Sequence, residues 1–134
     1  MLEKGLSATV HLTVTADKTA LEIGSGDLAV FATPAMLAAM ENAAMLAVAD
    51  RLPQGSTTVG SEISASHIKP SPVGAAITAT AVLTQVEERK LTFNVGASDN
   101  EGIIGEGTHV RFIVDRERFM ARLTKNNQNI QNPK

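Results

Sequence analysis

The chain has 134 residues, 43% of them hydrophobic, with a formal net charge of −2, no cysteine, tryptophan or tyrosine, and four phenylalanines. That is enough apolar chain for one domain with its own core, while the lack of cysteine excludes disulfides, thiolate metal sites and a cysteine nucleophile. A near-neutral charge without a basic run points away from nucleic acid and anionic membranes as partners, and no apolar stretch reaches the roughly 20 residues of a membrane helix.

Taken in chain order, "SATVHLTVTAD" predicts a strand, with Ala8, Val10, Leu12 and Val14 alternating against Thr9, His11, Thr13 and Thr15. His11 then falls on the polar side. A Gly-rich segment, "LEIGSGDLAV", leads to "FATPAMLAAMENAAMLAVAD", where Thr33 before Pro34 reads as an N-cap followed by proline in the first helical position. This predicts a long helix from Thr33 to about Arg51, stopping before Pro53 and Gly55. Three β-rich stretches follow, "TTVGSEISASHIKP", "AAITATAVLTQVEERKLTFNVGASD" and "IIGEGTHVRFIVD", with turns at Glu88–Lys90 and Asp99–Gly102. They amount to about four more strands. A short helix near Asp115–Leu123 ends the expected domain at residues 1–123, and 124–134 form a polar tail expected to be frayed or disordered. The Met1 end carries no signal-peptide stretch, so the chain is expected to be soluble and cytoplasmic.

One apolar helix with an antiparallel sheet predicts an α+β domain whose sheet curls around the helix. The helix is oily on nearly every side, which predicts burial all round. Glu41 is its only charged residue from Thr33 to Ala49, with Leu37 and Met45 one turn away on either side. A buried, unpaired carboxylate is costly, so it calls for a raised pKa or a partner from elsewhere in the fold. That makes Glu41 a candidate general base or nucleophile, against the plainer alternative of a side chain reaching solvent or a surface arginine.

Of the three histidines, His67 shares strand parity with Val59, Ile63 and Ala65 and should face the helix. His109 shares parity with Gly107 and Arg111, opposite Val110, Phe112 and Val114, which predicts an outward or interfacial position. Thr33 and Glu41 are eight residues apart, about 12 Å of helix at 1.5 Å per residue. They can serve one reacting group only by reaching along a substrate or by coming from two chains.

The motifs "FATPAMLAAMENAA", "VGSEISASHIKPSPVG" and "GEGTHVRFIVDRERF", collinear from Leu21 to Arg118, resemble the hotdog-fold acyl-CoA thioesterases and, among them, the fluoroacetyl-CoA thioesterase-like group. The resemblance implies a hotdog fold, an antiparallel sheet wrapped around one long central helix. It places the catalytic threonine, glutamate and histidine on Thr33, Glu41 and His67, a glycine beside the thioester on Gly60, and a basic residue near the acyl pocket on Arg111. It implies hydrolysis of a small acyl-CoA without a cofactor beyond the CoA of the substrate, and a homodimer with sheets joined edge to edge, or a tetramer. The stretch Leu21–Val30 holds no aromatic residue, so an aromatic lid over a fluorinated acyl group is not carried over and the acyl group stays open.

Glu41 would act as nucleophile or as base for water, with His67 as acid or base and the Gly60 amides or the helix start at Pro34–Met36 meeting the oxyanion. Two other activities compete. A hotdog enoyl-CoA hydratase would use Glu62 and His67, whose opposite parity sets them on opposite faces, and a non-catalytic acyl-CoA binding module would not need all three reactive side chains. No metal-ligand spacing is present among the histidines, and no metal is expected.

Overall fold

The computed structural model describes residues 2–131, with side chains up to residue 125. Strand β1 (Ser7–Thr13) is followed by a 3₁₀ turn (Ala16–Lys18), a one-turn helix α1 (Ala20–Ile23) and the long helix α2 (Thr33–Ala49). Strands β2 (Ser56–His67), β3 (Ala76–Glu87), β4 (Lys90–Asp99) and β5 (Gly102–Asp115) come next, and helix α3 (Arg116–Gln131) ends the described chain. The expected pattern of one strand, one long helix and four strands is present. Helix α1 was not expected from the Gly-rich segment; Thr19 caps it by accepting from the Glu22 N–H, and Gly24, at φ 94°, ends it. Helix α3 runs on through Gln131, past the Leu123 limit read from composition, while the last three residues of the expected tail lie outside the described residues.

All five strands pair antiparallel in the order β1-β3-β4-β5-β2. Helix α2 lies across the inner face, burying Met36, Met40, Ala43, Ala44 and Val48 against Ile77 and Leu83 of β3 and Leu91, Phe93 and Val95 of β4. Each large side chain buried this way contributes roughly 1.5–3 kcal/mol. Burial is confined to one side: Leu46 is 46% exposed, and Ala38, Asn42 and Ala49 also reach solvent. The all-round burial expected from the oily helix is therefore wrong, because a single sheet covers only one side and small alanines carry most of the rest.

Two strands depart from the alternation read from the sequence. In β2 the register slips between Gly60 and Glu62, a bulge that resets which side faces inward. Before it Thr58 is the buried residue, not Val59; after it Ile63, Ala65 and His67 share the half-buried side as expected. In β5 the expectation for His109 fails, since its side chain is 1% exposed. The inner row of β5 is Gly105, Gly107, His109 and Arg111, whereas Ile103 and Phe112 stand at the surface.

Glycine is required in that row by space. A Cβ on Gly107 would run into the Ser64 carbonyl oxygen and Ala65 of the neighbouring strand. Gly96 is the control, since its added Cβ would meet only the Gly105 carbonyl oxygen at 3.8 Å. Gly107→Ala should lower stability by about 2–3 kcal/mol through overpacking against backbone, and Gly96→Ala should stay within about 0.5 kcal/mol. Equal midpoints for the two variants in denaturant unfolding would refute the steric account.

Candidate active site

The start of α2 and the end of β2 meet at Thr33 and His67. The N-cap of α2 is Ala32, and no side chain caps the helix. The expected capping role of Thr33 is therefore replaced by another: its Oγ1 is hydrogen-bonded to His67 Nδ1 at 2.8 Å. Phe31, itself buried, sets its ring edge-on to the imidazole, with centroids 6.2 Å apart. His67 Nε2 is buried and has no protein partner. Burial holds this imidazole below the ordinary histidine pKa, because the charged form loses its hydration. Thr33 and His67 open together onto a cavity of about 300 Å³ whose apolar lining includes Ala20, Val30, Phe31 and Ile68.

The frame behind this end is polar and tied. Lys69 Nζ donates to Asp99 Oδ2 at 2.8 Å and Ser71 Oγ to the same oxygen at 2.9 Å, so that the Lys69 ammonium holds the Asp99 carboxyl well below the usual carboxylate range. The Phe31 N–H in turn donates to the Ser71 carbonyl oxygen at 2.9 Å. Asp99, Ser71 and Phe31 thus fix the approach of the chain to Thr33. At the helix start itself, Met36 N–H is used by the Ala32 carbonyl oxygen. Among the described residues no acceptor takes the Thr33 and Ala35 N–H groups, the orphan donors expected of a helix N-terminus.

Glu41 forms a second group, two turns along α2. Its side chain is 42% exposed, so the expectation of an acid enclosed in apolar packing is corrected. The partner comes from the sheet: Arg111 Nη1 lies 3.6 Å and His109 Nε2 3.7 Å from Glu41 Oε2. Gly60 makes room for this, since a Cβ there would collide with Glu41 Oε2 and press on Arg111 Nη1 and His109 Cε1, each at 3.2 Å.

Arg111 is buried and committed to protein acceptors. Its Nε donates to Thr58 Oγ1 at 2.7 Å, its Nη2 to the Thr58 carbonyl oxygen at 2.9 Å, and its Nη1 to His109 Nε2 at 3.2 Å. Because a guanidinium only donates, His109 Nε2 must accept, which assigns the ring proton to Nδ1. That proton is donated to the Glu62 carbonyl oxygen at 2.7 Å. Burial, reinforced by the adjacent guanidinium, holds His109 below the ordinary histidine pKa and keeps it neutral.

The structure therefore brings Thr33 to His67, and Glu41 to Gly60 and Arg111, as two groups along one helix. His109 and Thr58, which sequence reasoning did not single out, complete the second group. The alternation Gly105, Gly107, His109, Arg111 was the available signal: two glycines on one strand face mark close approach of other chain, so the polar residues in their row face inward.

Both groups fall within residues 14–117, which match the family model described as fluoroacetyl-CoA-specific thioesterase. The fluoroacetyl-CoA thioesterase of Streptantibioticus cattleyicolor is 39% identical over 94 residues, 70% of this chain and 68% of that protein. A solved structure of a fluoroacetyl-CoA thioesterase superposes with a TM-score of 0.87 at 32% identity, covering 93% of this chain and 97% of the other. A thioesterase superfamily member from Thermus thermophilus shares the fold, with a TM-score of 0.90 at 22% identity over 98% of this chain and 97% of its own. The hotdog architecture read from the motifs is thus present, and the chain belongs to the fluoroacetyl-CoA-specific thioesterase family.

Proposed function

We propose that this chain hydrolyses the thioester of a small acyl-CoA to the free acid and CoA, with Thr33, Glu41 and His67 as the reacting groups. The supporting observation is the Thr33–His67 pair at a cavity, with the imidazole kept neutral by burial and its Nε2 left without a protein partner. About 300 Å³ lies at the small end of ligand pockets and suits an acyl group of a few carbons.

Glu41 either takes a proton from water, whose oxygen then adds to the carbonyl carbon, or adds its own carboxylate oxygen to form a mixed anhydride that water cleaves. In both routes the C–S bond breaks and the CoA sulfur leaves as thiolate with the electron pair, to be protonated from solvent. In the anhydride route the neutral His67 takes a proton from the water that cleaves the anhydride and passes it to solvent. The unused N–H groups of Thr33 and Ala35 are suited to the oxygen on which charge develops. Arg111 and Gly60 act through Glu41: one sets its charge environment, and the other leaves the space in which the carboxylate lies. The reaction so written uses the chain's own residues and the CoA of the substrate.

The distance between the two groups supports a site assembled from two chains. Strand β2 is an edge of the sheet, and an edge of twelve residues needs cover. A homodimer joined along this edge would cover it and bring Thr33 and His67 of one chain towards Glu41 of the other.

Glu41→Gln and His67→Ala should each lower kcat/KM for short acyl-CoAs by about 10²–10⁴-fold with unfolding midpoints close to native, read by release of free thiol. For the native chain the acid limb of the pH–rate profile should lie below the ordinary histidine value of about 6.5: a depressed pKa keeps the basic form populated until the pH passes below it. An acid limb centred above 7, or one that persists in His67→Ala, would remove His67 as the base.

The two-chain arrangement has its own test. Thr33→Ala and Glu41→Gln chains, each inactive, should regain up to about a quarter of native activity when unfolded and refolded together, since half the dimers are mixed and one site in each is intact. A mixture that stays inactive while forming mixed dimers would place all three groups within one chain.

A further inference from the structure

We infer that Arg89, Arg118 and Arg122 form a site for the adenosine bisphosphate end of CoA; the assignment rests on the acyl-CoA reading above. The three arginines line a second cavity, of about 260 Å³, with Ser56, Ile113, Phe119 and Asp115. Arg118 and Arg122 are one turn apart on α3 and so share a face, while Arg89 comes from the β3–β4 turn. Three arginines and one acid line it, and that acid, Asp115, already accepts the Arg118 backbone N–H at 3.0 Å. Among the described residues none of the three arginines has an acidic partner within salt-bridge distance.

The backbone under these side chains is fixed. Ile113 N–H donates to the Arg89 carbonyl oxygen and Arg116 N–H to the Gly55 carbonyl oxygen, each at 3.0 Å. Guanidinium forks are the preferred partners of phosphate oxygens. Phe119, 36% exposed, and Ile113 add apolar surface beside them, the second element a purine needs.

Position supports the same ligand. The cavity continues the inner row of β5 that holds His109 and Arg111, through Ile113 to Asp115. Register pairs Gly60 with Arg111 and Ser56 with Asp115, so the cavity lies four residues of strand from Glu41's neighbours, about 13 Å at 3.3 Å per residue. An extended pantetheine arm spans that distance. The partly exposed Glu41 carboxylate would meet the thioester while the arginines hold the phosphates.

Calorimetry with adenosine 3′,5′-bisphosphate tests the site without turnover. The native chain should bind it, Arg118→Gln/Arg122→Gln should bind it at least about tenfold more weakly, and added salt should weaken binding to the native chain. In parallel, the native ratio of kcat/KM for acetyl-CoA over S-acetylpantetheine should exceed one and fall by a similar factor in the double variant. Equal binding to native and variant, no binding to the native chain, or equally tight binding of inorganic phosphate would overturn the assignment. A native chain that cleaves neither thioester yet binds the bisphosphate through these arginines would defeat the hydrolase reading and leave the nucleotide site standing.

Discussion

The room that β2 and β5 leave for side chains of α2 on their inner face is the constraint on which the rest depends. It exists because that face is built from glycine and from polar groups that satisfy one another. A side chain at Gly60 would occupy the space of the Glu41 carboxylate, and one at Gly105 would meet Met36 Sδ at 2.7 Å. The space left at Gly60 lets the Glu41 carboxylate lie beside a buried guanidinium. An isolated Arg111 in that position would be costly, and its contacts with Thr58, His109 and Glu41 are what make the burial tolerable.

From that contact the division along the helix follows. At the Glu41 end a half-open carboxylate lies beside a buried guanidinium, with the neutral His109 and Thr58 buried behind them. At the Thr33 end the imidazole is neutral, and its surroundings are the Phe31 ring and a cavity of mixed lining, Val30 and Ile68 beside Ser25 and Lys69. Thr33 stands one residue past the N-cap, so its hydroxyl has no capping role and bonds to the histidine.

The strand order of the motifs, the helix start at Thr33 and Pro34, and the inward turn of His67 were all legible in the sequence, because each rests on a local rule of period or turn chemistry. Burial of His109 was not legible, because apolar parity assumes that the oilier side of a strand faces the core. In β5 the inner row is needed for closeness and for polar contact, and hydrophobicity points the wrong way. Val59 misled for a different reason: a bulge adds one residue to a strand, and its one local signal in "TTVGSE", Gly60 inside the strand pattern, does not say where the parity changes. Glu41 was found by its isolation in an apolar run, yet its real setting, half-open beside Arg111, depends on a strand some seventy residues away.

The two groups also explain why the bulge matters. Thr58 and His67 are nine residues apart, so a regular pleat with no bulge between Gly60 and Glu62 would put one of them on the outer face. Thr58 must face inward to hold the Arg111 guanidinium, and His67 must face inward to meet Thr33. Both requirements fall on one strand with the wrong separation for a regular pleat. The register slip reconciles them, so an irregularity in the sheet is what permits the Arg111 end and the His67 end of the site to exist on the same strand.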